Sequence, residues 1–292
     1  MKLLVYGIFL AAASFSSLSG AQPAAVVEGV QMPAWIERSE GGAPARRFPL
    51  SPGMELKSGD QLRTGAGSRL LLRLAEGSLV KLGENGTLKL AELQSGRDLF
   101  KGVMSVLEGA FRFTTDVVVK NRRRDININV SQVTAGVRGT DLWGRSRADN
   151  QIVCLIEGSI EVGAPDEKPV TMDKPLQFYQ RTKGKTQPVG FVDQKQIDEW
   201  AKETEIELGR GATRRGGKWK LELATLDDQN AALALYDRVR AEGYPAEIHP
   251  VLEGEKHAYV VRISNLPSKA EAEALAAQLR GKSGVAEPSV SR

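Results

Sequence analysis

Few residues in this chain have the types and the spacing that catalysis or metal binding requires. The only two histidines, His249 and His257, are separated by a predicted turn, and no cysteine cluster accompanies them. The single cysteine, Cys154, cannot form a disulfide within the chain, and it lies in the apolar run IVCLI. We expect it to pack as a small hydrophobic residue. The sequence therefore predicts neither a metal nor another cofactor.

The dipeptide Glu-Gly recurs along the chain, and two of its copies suggest a pair of catalytic carboxylates, Glu76 and Glu157. Such a pair can act as general acid and base. Acids beside a turn glycine are usually solvated, however, because that glycine supplies the positive φ of a hairpin turn. We favour this second interpretation. Since no Ser-His-Asp arrangement with motif context is present either, we predict that the protein is not an enzyme.

The N-terminus predicts export. Lys2 precedes an apolar run of about 13 residues, and the small residues Ser19 and Ala21 stand at the usual positions before a cleavage at Gln22. The run is shorter than the roughly 20 residues of a membrane-spanning helix. We therefore predict a signal peptide over residues 1–21 and a mature protein in a bacterial periplasm. No integral membrane segment is expected after signal cleavage.

Residues 26–190 predict an all-β domain. Short runs rich in apolar and β-branched residues, such as SRLLLRL, SLVKL and SVLEGAFRF, alternate with glycine turns at spacings of about ten residues. This pattern is typical of an all-β fold that closes as a sandwich or in a solenoid-like way. The sequence does not distinguish between these two forms.

A helix and a linker are predicted between this region and the C-terminal part. Residues 193–208 place Ile197 and Trp200 on one apolar stripe, so we expect a helix that closes the β domain. The following GRGATRRGG, residues 209–217, has four glycines and three arginines but no large apolar residue. We interpret it as a flexible linker.

Residues 218–292 contain a doubled unit. The stretch AALALYDRVRAEGYPAEI at 231–248 is matched by EAEALAAQLRGKSGVAEP at 271–288. Each copy is a strand followed by an amphipathic helix, and two such units can share one core. The resulting order predicts an α+β domain of βαββαβ type. Its four-stranded antiparallel sheet would carry both helices on one face.

Capping signals define the ends of these two helices. Asp227 or Asp228 can cap the first helix, and Gly243 can end it. Ser268 and Glu271 form the S-x-x-E pattern of a capping box at the start of the second.

The face of this sheet without helices is the predicted binding surface. Strand alternation places polar and charged side chains there, together with Ala224. The candidate binding residues are Lys220, Glu222, Glu247, His249, Arg262 and Ser264. A flat face with this mixture of charges suits a hydroxyl-rich, weakly anionic polymer. A merely solvated sheet face is the alternative.

Nucleic-acid binding is not expected. The strand order is also that of an RNA-recognition domain, which stacks bases on aromatic residues of its third strand. Here the only aromatic residue of that strand, Tyr259, is predicted on the buried side, and the net charge of the chain is a mild +4.

The C-terminal segment resembles the SPOR domain, the sporulation-related repeat of bacterial envelope proteins. The resemblance is carried by LELATLDDQNAALALYDRVRAEGYPAEI and YVVRISNLPSKAEAEALAAQL. It implies binding to peptidoglycan glycan strands, particularly those stripped of stem peptides, often at the division septum. The family commonly has Gln in the first strand and Gly two residues later, where this chain has Glu222 and Ala224.

The β region resembles the FecR-type periplasmic domain. The carriers are SPGMELKSGDQLRTGAGSRLLLRLAEGSLVKLG, TAGVRGT and VCLIEGSIEV. Asp60, Thr64 and Thr140 are expected to bond nearby backbone, and Arg138 is expected to be a surface charge or a turn contact. The resemblance implies a sensing or interaction module. Control of a sigma factor by this chain alone is not expected, because the family's membrane helix and cytoplasmic segment have no counterpart in it.

Together these observations predict a periplasmic, non-enzymatic adaptor. The SPOR-like domain would bind peptidoglycan glycan strands, and an envelope protein of unknown identity would bind the FecR-like domain. An envelope signalling module that acts through a membrane-bound partner is the main alternative, and a cell-wall hydrolase is the less favoured one.

Overall fold

A computed structural model describes residues 23–115, 123–165, 167–253 and 256–292, with the side chains of Arg138, Glu253 and Lys256 excepted. The predicted signal peptide lies outside these residues. No described helix is long and apolar enough to cross a membrane. The N-terminal region contains the strands β1 (Ala25–Gln31), β2 (Ala34–Arg38), β3 (Arg46–Pro49), β4 (Glu55–Leu56), β5 (Gln61–Thr64), β6 (Arg69–Leu74), β7 (Leu79–Leu82), β8 (Thr87–Ser95), β9 (Leu99–Thr114), β10 (Arg123–Val130), β11 (Val133–Arg147), β12 (Asn150–Gly163), β13 (Val170–Met172), β14 (Gln177–Thr182), β15 (Lys185–Thr186) and β16 (Gly190–Phe191).

Three long strands, β9, β11 and β12, organise this region. The first half of β9 pairs with β8 and β10, and its second half pairs with β7 and β11. The three strands contain Gly109, Gly139 and Gly158, all at positive φ. At Gly158 a side chain would also collide with its neighbours, since an added Cβ would lie 2.4 Å from the carbonyl oxygen of Gly139. Glycine is therefore required where these strands change partners.

The strand pairing argues against a parallel β-solenoid. Among the described strands only β9 and β10 pair in parallel, and every other pairing is antiparallel. A β-solenoid would instead stack successive strands in parallel. The predicted all-β class is confirmed.

Helix α1 (Gln194–Lys202) packs on this β region through aromatic residues. The ring of Trp200 stacks on the buried Trp143 with their centroids 4.6 Å apart. Ile197 joins Trp143 and Cys154 in the same cluster. The helix ends at Lys202, earlier than the predicted residue 208. The next residue, Glu203, forms an ion pair with Arg145 at 3.0 Å.

The predicted flexible linker has a different conformation in the structure. Residues 212–214 form strand β17 (Ala212–Arg214), which pairs with β1. The backbone N–H groups of Gly209, Gly211 and Ala212 donate to the carboxylate of Glu271 over 2.6 to 3.0 Å. Glycine and arginine content alone suggested flexibility, but a sheet edge and a buried carboxylate supply the hydrogen bonds that order this segment.

The C-terminal domain has the predicted βαββαβ order. Its elements are β18 (Trp219–Leu226), α2 (Gln229–Ala241), β19 (Ala246–Glu253), β20 (Lys256–Leu266), α3 (Lys269–Leu279) and β21 (Ser289–Ser291). The strands form an antiparallel sheet in the order β19-β20-β18-β21. Asp228 caps α2 by accepting from the N–H of Ala231, and Ser268 caps α3 by accepting from the N–H of Glu271.

The doubled unit forms the shared core of this domain. Its repeat positions on the helices and on the two central strands are buried, so both helices cover one face of the sheet. These residues are Leu221, Leu223, Leu235, Val239, Val261, Ile263, Leu275 and Leu279. Burial of such side chains stabilises the domain by about 1.5–3 kcal/mol each relative to exposure. No helix of the described residues covers the opposite face of the sheet.

Trp35 of the β region contacts the C-terminal domain directly. Its Nε1 donates to the carbonyl oxygen of Ala241 at the end of α2, over 3.1 Å. The ring lies so close to Gly243 that an added Cβ there would be 2.7 Å from it. The N–H of Ala34 also donates to the carbonyl oxygen of Gly243 at 3.2 Å. The two domains therefore share an ordered contact besides the connecting chain.

Candidate functional site

A charged row crosses the helix-free face of the C-terminal sheet. Arg262 of β20 lies directly opposite Glu222 of β18 on one side and Glu247 of β19 on the other. Its Nε is 3.9 Å from the Oε2 of Glu247, which is an ion pair without a hydrogen bond. The Arg262 side chain is 22% exposed, and that of Glu247 is 53% exposed. The side chain of Arg262 is thus largely shielded from solvent and lies between two acidic residues.

Hydroxyl groups extend this row at both ends. Ser291 of β21 donates to the Oε1 of Glu222 over 2.6 Å, and Ser264 donates to the Oε2 of Glu247 over 3.1 Å. Lys220 pairs with Ser291 across the sheet edge. Five of the six predicted residues are therefore linked through cross-strand neighbours, and Ser291 is a further member that the sequence reasoning missed. Its position in the short last strand was predicted, but not the face to which it belongs.

The sixth predicted residue, His249, lies on the same face but outside the charged row. It is exposed on β19 opposite Val260. No hydrogen bond or ion pair joins it to another described side chain of the face. It can therefore contact a ligand only at the margin of the surface.

The placement of Ala224 on the open face is wrong. A bulge between Glu222 and Ala224 shifts the register of β18 against β20. Ala224 consequently pairs with the buried Val261 and packs against the core, while Thr225 pairs with Val260 and is exposed. Simple alternation fails here because the bulge adds one residue to β18.

The open face has the groups that recognise a carbohydrate. Carboxylates accept from sugar hydroxyl and acetamido N–H groups, a guanidinium donates to oxygens, and serine hydroxyls do both. The Nε atom of Arg262 is buried and has no hydrogen-bond partner among the described atoms. Such a donor costs stability unless a ligand or water satisfies it. The face can thus hold a flat, hydroxyl-rich chain by hydrogen bonds rather than by charge.

Two of the three residues that were expected to bond the backbone in the β region do so. Asp60 accepts from the N–H of Lys57 at 2.7 Å and also binds Arg38 through both carboxylate oxygens. This hydrogen-bonded pair raises the pKa of Arg38 above its ordinary value. Thr64 donates to the carbonyl oxygen of Gly83 at 2.6 Å. The hydroxyl of Thr140 is buried without a described partner, against the expectation.

The possible catalytic carboxylates belong to different environments. Glu76 is fully buried and accepts from Arg124 at 2.9 Å and from the hydroxyl of Ser78 at 2.9 Å. The expectation of a solvated turn residue is wrong for Glu76, because this ion pair compensates its burial. Glu157 is exposed in β12 opposite Asp141. The described residues also contain no group of three or more His, Cys, Asp or Glu that could hold a metal ion.

The thiol of Cys154 shows no sign of reactivity. It is buried beside Trp143, and burial raises its pKa to about 12. A nucleophilic cysteine requires the opposite shift, since the thiolate is the reactive form. Its predicted role as a core residue is confirmed by this burial.

Comparison with known proteins divides the chain in the same way. Residues 216–291 match a family model described as SPOR domain, and residues 60–161 match one described as FecR protein. No curated protein matches the sequence. Two crystal structures of a candidate anti-sigma factor from Parabacteroides distasonis ATCC 8503 are each 16% identical, with 75% of this chain and 89% of that chain covered. The TM-score of each is 0.40. The chain therefore combines a FecR protein region with a C-terminal SPOR domain.

Proposed function

We propose that this protein is a non-enzymatic periplasmic adaptor that binds peptidoglycan glycan strands through the open face of its SPOR domain. The observation that carries the proposal is the row of Glu222, Arg262 and Glu247 on the only helix-free face of that domain's described sheet. Its two acids outnumber the central cation, and Lys220 restores the balance at the edge. A nearly neutral, hydrogen-bonding surface suits a polysaccharide better than a polyanion such as nucleic acid.

An adaptor also needs a second contact, besides the one that its SPOR domain makes with the wall. The FecR region would sense or bind an envelope protein while the SPOR domain holds the chain on the wall. Export through a signal peptide at residues 1–21 would deliver the chain to the periplasm. Binding to glycan without stem peptides would concentrate it at the division septum.

Co-sedimentation of the purified full chain with sacculi tests this function. One half of the sacculi is treated with an amidase that removes stem peptides, and the other half is left intact. The chain should pellet with both and more strongly with the treated sample. Absence from both pellets would refute glycan binding, and a cleared band in a zymogram of the same protein would refute the non-enzymatic role.

An envelope signalling module that acts through a membrane-bound partner is the second candidate. The FecR protein match over residues 60–161 supports it. Crosslinking of the full chain in cells, followed by identification of the membrane proteins attached to residues 60–161, would test this role. A crosslink pattern with wall material alone would contradict it.

A further inference from the structure

A second polar face lies on the β region, across strands β9 to β13. Its middle row, which we call the groove row, joins hydrogen-bonded neighbours on five strands. The groove row consists of Val103, Asn127, Gly136, Glu161 and Thr171. With strands about 4.8 Å apart, it extends for roughly 19 Å. A cavity of about 500 Å³ opens above it, within the range of ligand sites.

Gly136 forms the floor of this groove, and nothing within the described chain requires a glycine there. Its φ is not positive. An added Cβ would meet only the Oδ1 of Asn127, at an ordinary distance of 3.7 Å. The pairing of β10 with β11 is also regular at this position, so no bulge explains it. Glycine inside a strand marks a bulge, a tight bend or the close approach of another molecule. The last of these explanations remains.

The groove also offers polar groups with unused hydrogen-bonding capacity. Ser159, Glu161 and Thr171 are exposed, and their side chains make no hydrogen bond to any residue that the structure describes. Asn127 uses one amide N–H to bind Asp125 at 3.2 Å. Its carbonyl oxygen and second N–H stay available. Donors and acceptors therefore line both sides of the gap left by Gly136.

The charges of the groove complement a partner that carries both hydroxyl groups and carboxylates. Arg123 is exposed at one end of the cavity and forms no ion pair with a described residue. Glu161 and Asp125 line the middle as acceptors. Among the described lining residues, the exposed side chains in the middle are polar and the apolar ones there are buried, whereas the centre of a protein–protein interface is usually apolar or aromatic. The exposed Leu99 lies at the end of the cavity, opposite Arg123.

We propose that the groove is a second glycan-binding site, in which a glycan strand lies over Gly136. Arg123 would bind a carboxylate of the strand, and Asn127, Ser159, Glu161 and Thr171 would bind its hydroxyl and acetamido groups. The choice of peptidoglycan as the source of this glycan rests on the proposed function. Two such sites on one chain raise the apparent affinity for a polymer through effective concentration.

Five variants of the full chain test the groove against the open face. The variant Gly136→Thr fills the groove, and Glu222→Ala with Arg262→Ala removes the charged row. A further variant combines these three substitutions. Ala91→Thr places a threonine at an exposed position of β8 as a control. Each is measured by co-sedimentation with amidase-treated sacculi, by thermal unfolding and by protein crosslinking in cells. Glu161→Ala serves as a second groove variant that changes no strand propensity at Gly136.

Gly136→Thr should unfold at an unchanged or higher temperature, because a β-branched residue suits a half-buried strand position where an added Cβ meets no close neighbour. Its apparent affinity for sacculi should nevertheless fall by about tenfold or more, as should that of Glu161→Ala, while Ala91→Thr binds as the unmodified chain. Unchanged binding of both groove variants would overturn the proposal, as would a large fall in their unfolding temperature. Loss of protein crosslinks without loss of sacculus binding would instead assign the groove to a protein. If the groove variants weaken binding and the open-face variant does not, the proposed function fails and this site stands.

Discussion

At the scale of single residues, Arg262 is the centre of the proposed binding surface on the open face. It lies opposite Glu222 and Glu247 on the neighbouring strands and forms an ion pair with Glu247 at 3.9 Å, so part of its charge is compensated before any ligand arrives. A polymer that carries many negative charges gains little from such a residue. A hydroxyl-rich chain, by contrast, can use both the guanidinium and the acids as hydrogen-bond partners. Lys220 and the serine hydroxyls at the row's ends support the same chemistry.

The substitution Glu222→Gln should strengthen binding to glycan strands. The carboxylate repels the lactyl carboxylates of the glycan, whereas the amide removes this repulsion and still accepts from Ser291. We expect a gain of about two- to fivefold in apparent affinity, the size of one exposed charge interaction. Co-sedimentation at low and high salt measures it. Glu273→Gln on the exposed side of α3 makes the same charge change away from the face, and an equal gain there would contradict the explanation.

Cys154 should behave as an unreactive thiol until the β region unfolds. Its pKa is raised to about 12 by burial. An ordinary thiol reacts faster as the pH rises through about 8.5, because the thiolate fraction grows. The native chain should show no such rise between about pH 7 and pH 9, and full reaction only in denaturant. Rapid labelling of the native chain at neutral pH would contradict the described burial.

At the scale of elements, the sequence predicts what depends on local patterns. The helix N-caps at Asp228 and Ser268 and the order of the C-terminal strands follow from residue type and periodicity. The bulge at Ala224 does not, since alternation continues through it in the sequence. The defined conformation of residues 209–217 could not be predicted either, because they form hydrogen bonds with β1 and with a helix about sixty positions away.

Glu271 should stabilise the fold far more than a capping residue would. It is 3% exposed and accepts from three backbone N–H groups of the connecting segment. Glu271→Ala should lower the free energy of unfolding by about 3 kcal/mol, since each buried donor without a partner costs about 1–3 kcal/mol. Urea unfolding measures this loss. Glu273→Ala, an exposed change on the same helix, should stay within about 0.5 kcal/mol. Equal effects would refute the described role.

At the scale of the whole molecule, the connecting segment belongs to both domains. Strand β17 is part of the N-terminal sheet, where it pairs with β1. The N–H of its first residue, Ala212, donates to the carboxylate of Glu271 on the C-terminal helix α3. Trp35 adds a second contact at the end of α2. The open face is therefore held in a defined orientation relative to the groove of the β region, as the two proposed glycan sites would require if one strand occupies both.

The boundary of the C-terminal domain follows from this shared segment. A fragment of residues 207–292 should fold more stably than one of residues 218–292, because the shorter fragment lacks the three backbone N–H groups that bind the carboxylate of Glu271. A loss of about 3 kcal/mol corresponds to roughly 10 °C or more for a domain of this size. Thermal unfolding of both fragments measures the difference. Equal unfolding temperatures would show that water replaces the donors.

The central claim, that the open face binds the wall, is tested most directly by two matched pairs of substitutions in the full chain. Glu222→Ala with Arg262→Ala removes one acid and one base from the face. Lys269→Ala with Glu273→Ala removes an exposed pair, 3.1 Å apart, from α3 on the opposite side. Co-sedimentation with amidase-treated sacculi should show at least a tenfold loss of affinity for the first pair and none for the second. Equal binding of both variants would contradict the account.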